Sequence, residues 1–351
     1  MKRALDLNDF MGKNTLLISE AMRVINNNTF GIMFLIDDEK KLRGCVTDGD
    51  IRRYLLGGGQ VSDIVENAAN PKPRVARSLD EAKKLFHKRN YIVIPIIDEY
   101  GVIIDVFCGN GCTNYKAKKP LKLPVVINAG GKGTRLDPFT RVLPKPLIPV
   151  GEHPIIELIM KEYLEYECCD FSIIVNYKKE LIKAYFTDSD LDYKIRWYDE
   201  SKPLGTGGGL CYLKGEIDQT FFFANCDVLI KADYENMVAF HKENDNAITM
   251  ICAYKNIEIP YGVVEMGVDG RIEGMKEKPV MSFLTNTGCY IVEPEVLDDL
   301  VDGEVIGFPD IIERQKEKGR KVAVYPISEN DWMDMGQLPE LEKMRIRLYG
   351  E

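Results

Sequence analysis

The chain has 351 residues, enough for more than one hydrophobic core, because single cores stop growing near about 250–300 residues. Its 45% hydrophobic and 29% charged content is that of an ordinary globular protein, and a net charge of −9 argues against a general nucleic-acid or anionic-membrane surface while allowing a local basic pocket. No apolar run approaches a membrane span, and Met1–Arg3 leads into Asp6 and Asp9 rather than an apolar signal core, so a cytoplasmic protein is expected. Nine cysteines, an odd and scattered set, make a poor disulfide framework. Cys108 with Cys112, or Cys168 with Cys169, lacks a second pair at metal-finger spacing, so reduced structural thiols are expected.

In chain order, an internal repeat comes first. "FLIDDEKKLRGCVT" from Phe34 resembles "PIIDEYGVIIDVFC" from Pro95, each a strand, an acidic turn and a second strand. A helical period precedes each copy, over Ser19–Asn27 and Leu79–Arg89. Then "YKAKKPLKLP", Tyr115–Pro124, is basic and proline-punctuated, the composition of a linker. The expected division is residues 1–120, with copies over about 1–61 and 62–118, and a second domain over 121–351.

"TDGDIRR", Thr47–Arg53, makes the first half resemble a pair of CBS domains, α+β modules that bind adenine nucleotides. The resemblance implies that Thr47 meets phosphate and Asp50 a ribose, with AMP or ATP as ligand. A helix opening at Asp50 would favour an anion at its positive end. The alternative is that Asp50 merely caps its helix and the pair serves as a dimerisation platform, within an expected homo-oligomer. The second copy has "CGNG" from Cys108 where the motif should recur.

Beyond the linker, apolar runs at Val125–Ile127, Ser172–Val175, Phe221–Ala224 and Ala247–Ala253 read as strands buried on both faces, with a helical period between them at Ile155–Tyr166. Such alternation predicts an α/β fold with a Rossmann-like, mostly parallel sheet that binds ligands at the carboxyl ends of its strands. "NAGGKGTRLDPFTRVLPKPLIPV", Asn128–Val150, begins at such an end. It is neither a dinucleotide fingerprint, since Leu136 stands where a third glycine should, nor a Walker loop.

The full string resembles the signature of the sugar-1-phosphate nucleotidyltransferases, from about Leu123 to the end of the chain. The resemblance implies transfer from a nucleoside triphosphate to a sugar 1-phosphate, with Mg²⁺ as cofactor and pyrophosphate as co-product. Glycines suit a polyphosphate because bare backbone N–H groups can approach it. Ala129, Gly130, Gly131, Gly133 and Thr134 would bind the nucleotide, and Arg135 and Lys145 would neutralise the departing phosphates. Asp227, ending "FFFANCD", and Asp334, in "WMDMG", resemble the family's metal-binding aspartates. In "DESKPLGTGGGL" from Asp199, Glu200, Gly205 and Thr206 resemble the base- and ribose-reading segment. A carboxylate at Glu200 accepts from both N1–H and the amine of guanine but repels the carbonyls of uracil or thymine, so GTP is the expected donor. Gly262, Glu277, Lys278, Asn286 and Thr287 resemble the sugar-phosphate-binding elements. A non-catalytic, nucleotide-sensing subunit built on the same fold is the alternative.

Overall fold

The computed structural model describes residues 7–28, 30–88, 93–108, 118–187 and 193–349. Cys112, the start of the linker (115–117) and the "CGNG" segment after Cys108 lie outside them. Two compact units form. One comprises Met1–Lys116, Tyr254–Leu284 and Ser328–Asn330; the other comprises Ala117–Ala253, Thr285–Ile327 and Asp331–Glu351. The units are therefore not consecutive in sequence.

The first unit opens with β1 (Met11–Lys13), α1 (Ile18–Asn28), β2 (Ile32–Ile36), β3 (Leu42–Thr47) and α2 (Asp48–Leu56). β1 runs parallel to β2, and β2 antiparallel to β3. Ile18, Ala21, Met22 and Ile25 fall on one stripe of α1 and are buried against Met33, Leu35 and Val46 of the sheet. The second copy supplies α3 (Leu79–Lys88) and an antiparallel hairpin, β4 (Val93–Ile97) and β5 (Ile103–Cys108).

The repeat is reproduced in atomic detail. The Oδ1 of Asp37 accepts the N–H groups of Glu39 and Lys41, and Asp98 does the same for Tyr100 and Val102. The two turns also meet each other, with Leu42 donating its N–H to the carbonyl of Gly101 at 2.9 Å.

Segments from far along the chain complete this unit. Tyr254 packs against the α1–β2 core. The Oδ1 of Asn26 accepts from the Ser328 hydroxyl at 2.7 Å, and its carbonyl accepts from the side chain of Asn330 at 2.9 Å.

The second unit begins with β6 (Val125–Asn128), α4 (Phe139–Val142), the short pair β7 (Pro149–Val150) and β8 (His153–Pro154), and α5 (Ile155–Leu164). It continues with β9 (Asp170–Val175), α6 (Lys179–Thr187), β10 (Lys194–Asp199), β11 (Phe221–Asn225), β12 (Val228–Ile230), α7 (Tyr234–Glu243) and β13 (Ile248–Glu258). A hairpin of β14 (Val263–Met266) and β15 (Ile272–Lys276) belongs to the first unit. β16 (Val280–Val292), α8 (Glu295–Asp298), α9 (Phe308–Glu317), β17 (Val322–Ile327), β18 (Trp332–Asp334) and α10 (Leu338–Tyr349) follow.

Seven strands make one sheet in the order β10-β9-β6-β11-β16-β13-β17. β10, β9, β6 and β11 are mutually parallel, β17 is parallel to β13, and β16 is antiparallel to β11. Side chains alternate between the two faces. Val125, Ile127, Phe222 and Ala224 enter one core with α5, while Val126, Phe221 and Phe223 enter the other with Phe308 and Ile311 of α9. That two-sided burial produces the uninterrupted apolar runs. Among the described residues, no helix is long and apolar enough to cross a membrane.

Candidate active site

β6 and β11 end side by side, with Asn128 in register with Asn225. The chain must turn away from the sheet there, so loop residues gather at this edge. Asn128 ties two of those loops together. Its Nδ2 donates to the carbonyl of Thr206 at 3.3 Å, and its Oδ1 accepts the Gly130 N–H at 3.4 Å.

The glycine loop carries Arg135 on a short turn, Thr134–Leu136, anchored by buried Leu136. Gly133 has φ +65°, a left-handed conformation, and a Cβ there would sit 2.9 Å from Thr140 Cγ2 and 3.0 Å from Lys145 Cβ. A side chain at this position would be strained and would push Lys145 aside. Lys145 lies between Pro144 and Pro146 and is only 9% exposed, with its ammonium on the carboxylate of Asp227. Asp227 follows β11, and Asp334 ends β18. The antiparallel pairing of Val228 with Asp334, and the bond from the Met335 N–H to the Asp227 carbonyl, bring the two acids together.

Arg135, Thr206, Asn225, Asp227, Asn286 and Asp334 line a cavity of about 250 Å³. Burial raises the pKa of Asp334, and the neighbouring charge of Asp227 raises it further, against the opposing pull of the Gly336 N–H, Lys145 and Arg135. A pair of repelling carboxylates at the mouth of a cationic loop suits a divalent ion. Among the described residues, no third acid, histidine or cysteine joins them.

Glu200 is buried, 5% exposed, at the end of β10. Gly130 and Gly209 make its seat: Cβ atoms there would fall 2.8 Å from Oε2 and 2.8 Å from Oε1. Oε1 has no hydrogen-bond partner among the described residues. Burial pushes the carboxyl up to about 7, against a smaller lowering by the Leu204 N–H.

Other expected residues prove to be engaged in holding the fold. The Thr206 hydroxyl accepts the Phe308 N–H at the start of α9. Thr287 lines the cavity, but its hydroxyl donates to the Ile251 carbonyl at 2.7 Å, and Asn286 bridges the Tyr290 hydroxyl and the Gly288 N–H. Gly205 closes against the Ile306 carbonyl. Gly262, Glu277 and Lys278 stand in the first unit, on and beside the β14–β15 hairpin, where a Cβ on Gly262 would sit 2.9 Å from the Glu277 carboxylate. Ala129 and Gly130 are buried, while Gly131 and Thr134 are exposed. Sequence reasoning passed over Asn128 and Asn225, although polar residues closing two adjacent buried strands were a readable signal.

Thr47 and Asp50 form a reciprocal cap on α2. The Thr47 oxygen accepts the Asp50 N–H at 3.2 Å, Asp50 accepts the Thr47 N–H and hydroxyl, and Arg53 pairs with Asp50.

A roomier hollow of about 620 Å³ lies at the opposite edge of the sheet, near His241, Asn246, Glu293 and Arg320. Its buried histidine is already held between Thr249 and Glu293, at 2.8 and 2.9 Å. The smaller cavity is the one at the glycine loop, where Arg135 faces Asp227 and Asp334.

The nucleotidyl transferase family model matches residues 124–348, and the CBS domain model matches residues 13–57. The chain belongs to the nucleotidyl transferase family. A UTP–glucose-1-phosphate uridylyltransferase of Synechocystis sp. is 30% identical over 239 residues, 62% of this chain and 61% of its own. A probable mannose-1-phosphate guanylyltransferase of Oryza sativa is 31% identical over 242 residues, 65% of this chain and 64% of its own. The bifunctional protein GlmU of Methanococcus maripaludis is 32% identical over 225 residues, 61% of this chain and 51% of its own. The match thus spans between half and just under two thirds of the length of these curated relatives. A solved structure of a putative glucose-1-phosphate thymidylyltransferase from Bacillus anthracis superposes with TM-score 0.51 at 20% identity, covering 64% of this chain and 94% of that one. That likeness concerns the fold. The nucleotidyl transferase domain of this chain thus carries its glycine loop, two cations and two acids at one strand edge, behind an N-terminal CBS domain.

Proposed function

We propose that the protein transfers a nucleotidyl group, preferentially guanylyl, from a nucleoside triphosphate to a sugar 1-phosphate. The observation that carries this reading is the convergence of Arg135, Lys145, Asp227 and Asp334 at the carboxyl ends of two parallel strands. An oxygen of the sugar phosphate attacks the α-phosphorus, the bond from that phosphorus to the bridging oxygen breaks, and pyrophosphate leaves. A phosphate is already ionised at neutral pH, so no protein nucleophile is required, and the protein contributes position and charge. A magnesium ion held by Asp227 and Asp334 would neutralise phosphate charge. Arg135, exposed at the cavity, would receive the leaving pyrophosphate. Gly262, Glu277, Lys278, Asn286 and Thr287 are assigned to the sugar phosphate on family resemblance.

Guanine selection rests on Glu200, whose buried, unpartnered oxygen suits the paired donors of that base. Binding of AMP or ATP at the CBS domain would require Thr47 and Asp50 to exchange their mutual bonds for the ligand's. Eight free cysteines among the described residues support a reducing, cytoplasmic setting.

Pyrophosphate release, measured with Mg²⁺, each of the four triphosphates and a panel of sugar 1-phosphates, tests the assignment. Preferred turnover with GTP is expected. A preference for UTP or dTTP would overturn the base assignment, and no turnover with any pair would favour a sensing subunit.

A further inference from the structure

The contact between Lys145 and Asp227 raises a question that the reaction alone does not answer. A lysine meant for phosphate is instead seated on an acid meant for metal. The arrangement is built rather than incidental. Both side chains are largely buried, at 11% and 15% exposure, and prolines on either side restrict the backbone of Lys145. The lysine stem runs over Gly133, where its Cβ and Cδ are 3.0 and 3.4 Å from the position a glycine Cβ would occupy. The side chain therefore reaches from the phosphate loop to the acidic pair.

We propose that Lys145 is an internal counter-ion that occupies Asp227 in the nucleotide-free protein and yields it to a divalent cation only when a polyphosphate draws the ammonium away.

The charge balance supports this. Asp227 and Asp334 are matched by Lys145 and Arg135, so these four side chains together are close to neutral. A divalent cation entering alone would add two positive charges beside a buried ammonium, and a triphosphate entering alone would add about four negative charges beside two acids. Entering together, each compensates the other. The coupling between metal and nucleotide is then reciprocal, and Lys145 sets part of its size. Asp334 accepts the Gly336 N–H at 2.7 Å whereas Asp227 holds the ammonium, so Asp227 is the acid that changes partner.

The inference rests on the reading of Asp227 as a metal ligand, and the test separates the two. Mn²⁺ binding to the full-length protein without nucleotide is measured by titration calorimetry and by the loss of the free-ion paramagnetic resonance signal. Lys145→Gln should bind Mn²⁺ at least about tenfold more tightly than the unmodified protein, in the range of ordinary site-to-site couplings. Lys145→Arg, which retains the charge, should not. Adding Asp227→Asn to Lys145→Gln should cancel the gain. Equal Mn²⁺ affinity in the unmodified and Gln proteins, both abolished by Asp227→Asn, overturns the counter-ion and leaves the metal assignment standing. Mn²⁺ binding indifferent to Asp227→Asn overturns both. If Lys145→Gln does not fold, Lys145→Met, which keeps the buried stem, carries the same expectation.

Discussion

The two nucleotide-binding motifs read from the sequence have opposite internal economies. In the CBS domain, Thr47 and Asp50 satisfy each other and the first turn of α2, leaving Asp50 with a full set of partners. In the cleft, burial and then a neighbouring acid push the Asp334 carboxyl up, and a buried oxygen of Glu200 has no hydrogen-bond partner among the described residues. The same residue type thus stabilises a helix in one place and stores an unmet electrostatic demand in the other. Groups with unmet demands are the ones a ligand can reward.

The hardest blow to this contrast falls on the acids of the cleft. Asp227→Ala is expected to lower turnover by at least about a hundredfold, the scale of losing roughly 3 kcal/mol in the transition state. Pyrophosphate release checks it, and near-normal turnover would remove the distinction between the two motifs. Arg135→Ala should also cost about a hundredfold, yet change unfolding stability by less than about 0.5 kcal/mol because its side chain is exposed. A large drop in stability would mean that Arg135 holds the loop rather than the substrate.

Glu200 sharpens the contrast through pH. Its raised pKa means that the folded protein favours the neutral carboxyl, so the associated stability is present below the ordinary 4.5 and is lost as pH rises through about 7. Guanine recognition needs the ionised form, so GTP affinity should improve as pH rises through about 7. Glu200→Gln should flatten both profiles and reduce kcat/KM for GTP by about tenfold or more, the value of a charged hydrogen bond. Calorimetric titration and denaturant unfolding at several pH values read these effects.

The smallest expected effect lies at the satisfied motif. Thr47→Ala should destabilise the first unit by about 1 kcal/mol, as loss of a helix cap does, in urea unfolding. A cost near zero would show that the cap is not what Thr47 supplies.

What the sequence disclosed follows from the locality of each cause. β6, β9 and β11 are buried on both faces, so their apolar runs mark them within a residue or two, and α5 begins at Ile155 as its period requires. The repeat was equally plain, because each hairpin depends on its own aspartate turn. β10 and the β14–β15 hairpin are exposed or half-exposed, so no apolar run announces them. The family string located the cleft residues, but the meeting of Lys145 with Asp227 crosses 82 positions, and the capping alternative is read on Asp50, whereas Thr47 is the N-cap and Asp50 its partner at the third position of the helix. Unit membership was the least legible feature, since a linker-like composition at Tyr115–Pro124 says nothing about Tyr254 or Ser328 returning to the N-terminal repeat.

That return has a kinetic consequence. Asn26 leaves the ribosome well before its partners Ser328 and Asn330, which lie 302 and 304 positions later. Completing the first unit must wait until Ser328 and Asn330 have been synthesised, and closing so long a loop is slow. During translation the N-terminal repeat is a half-finished surface, and its final packing coincides with delivery of the strand that bears Asp334, four residues beyond Asn330.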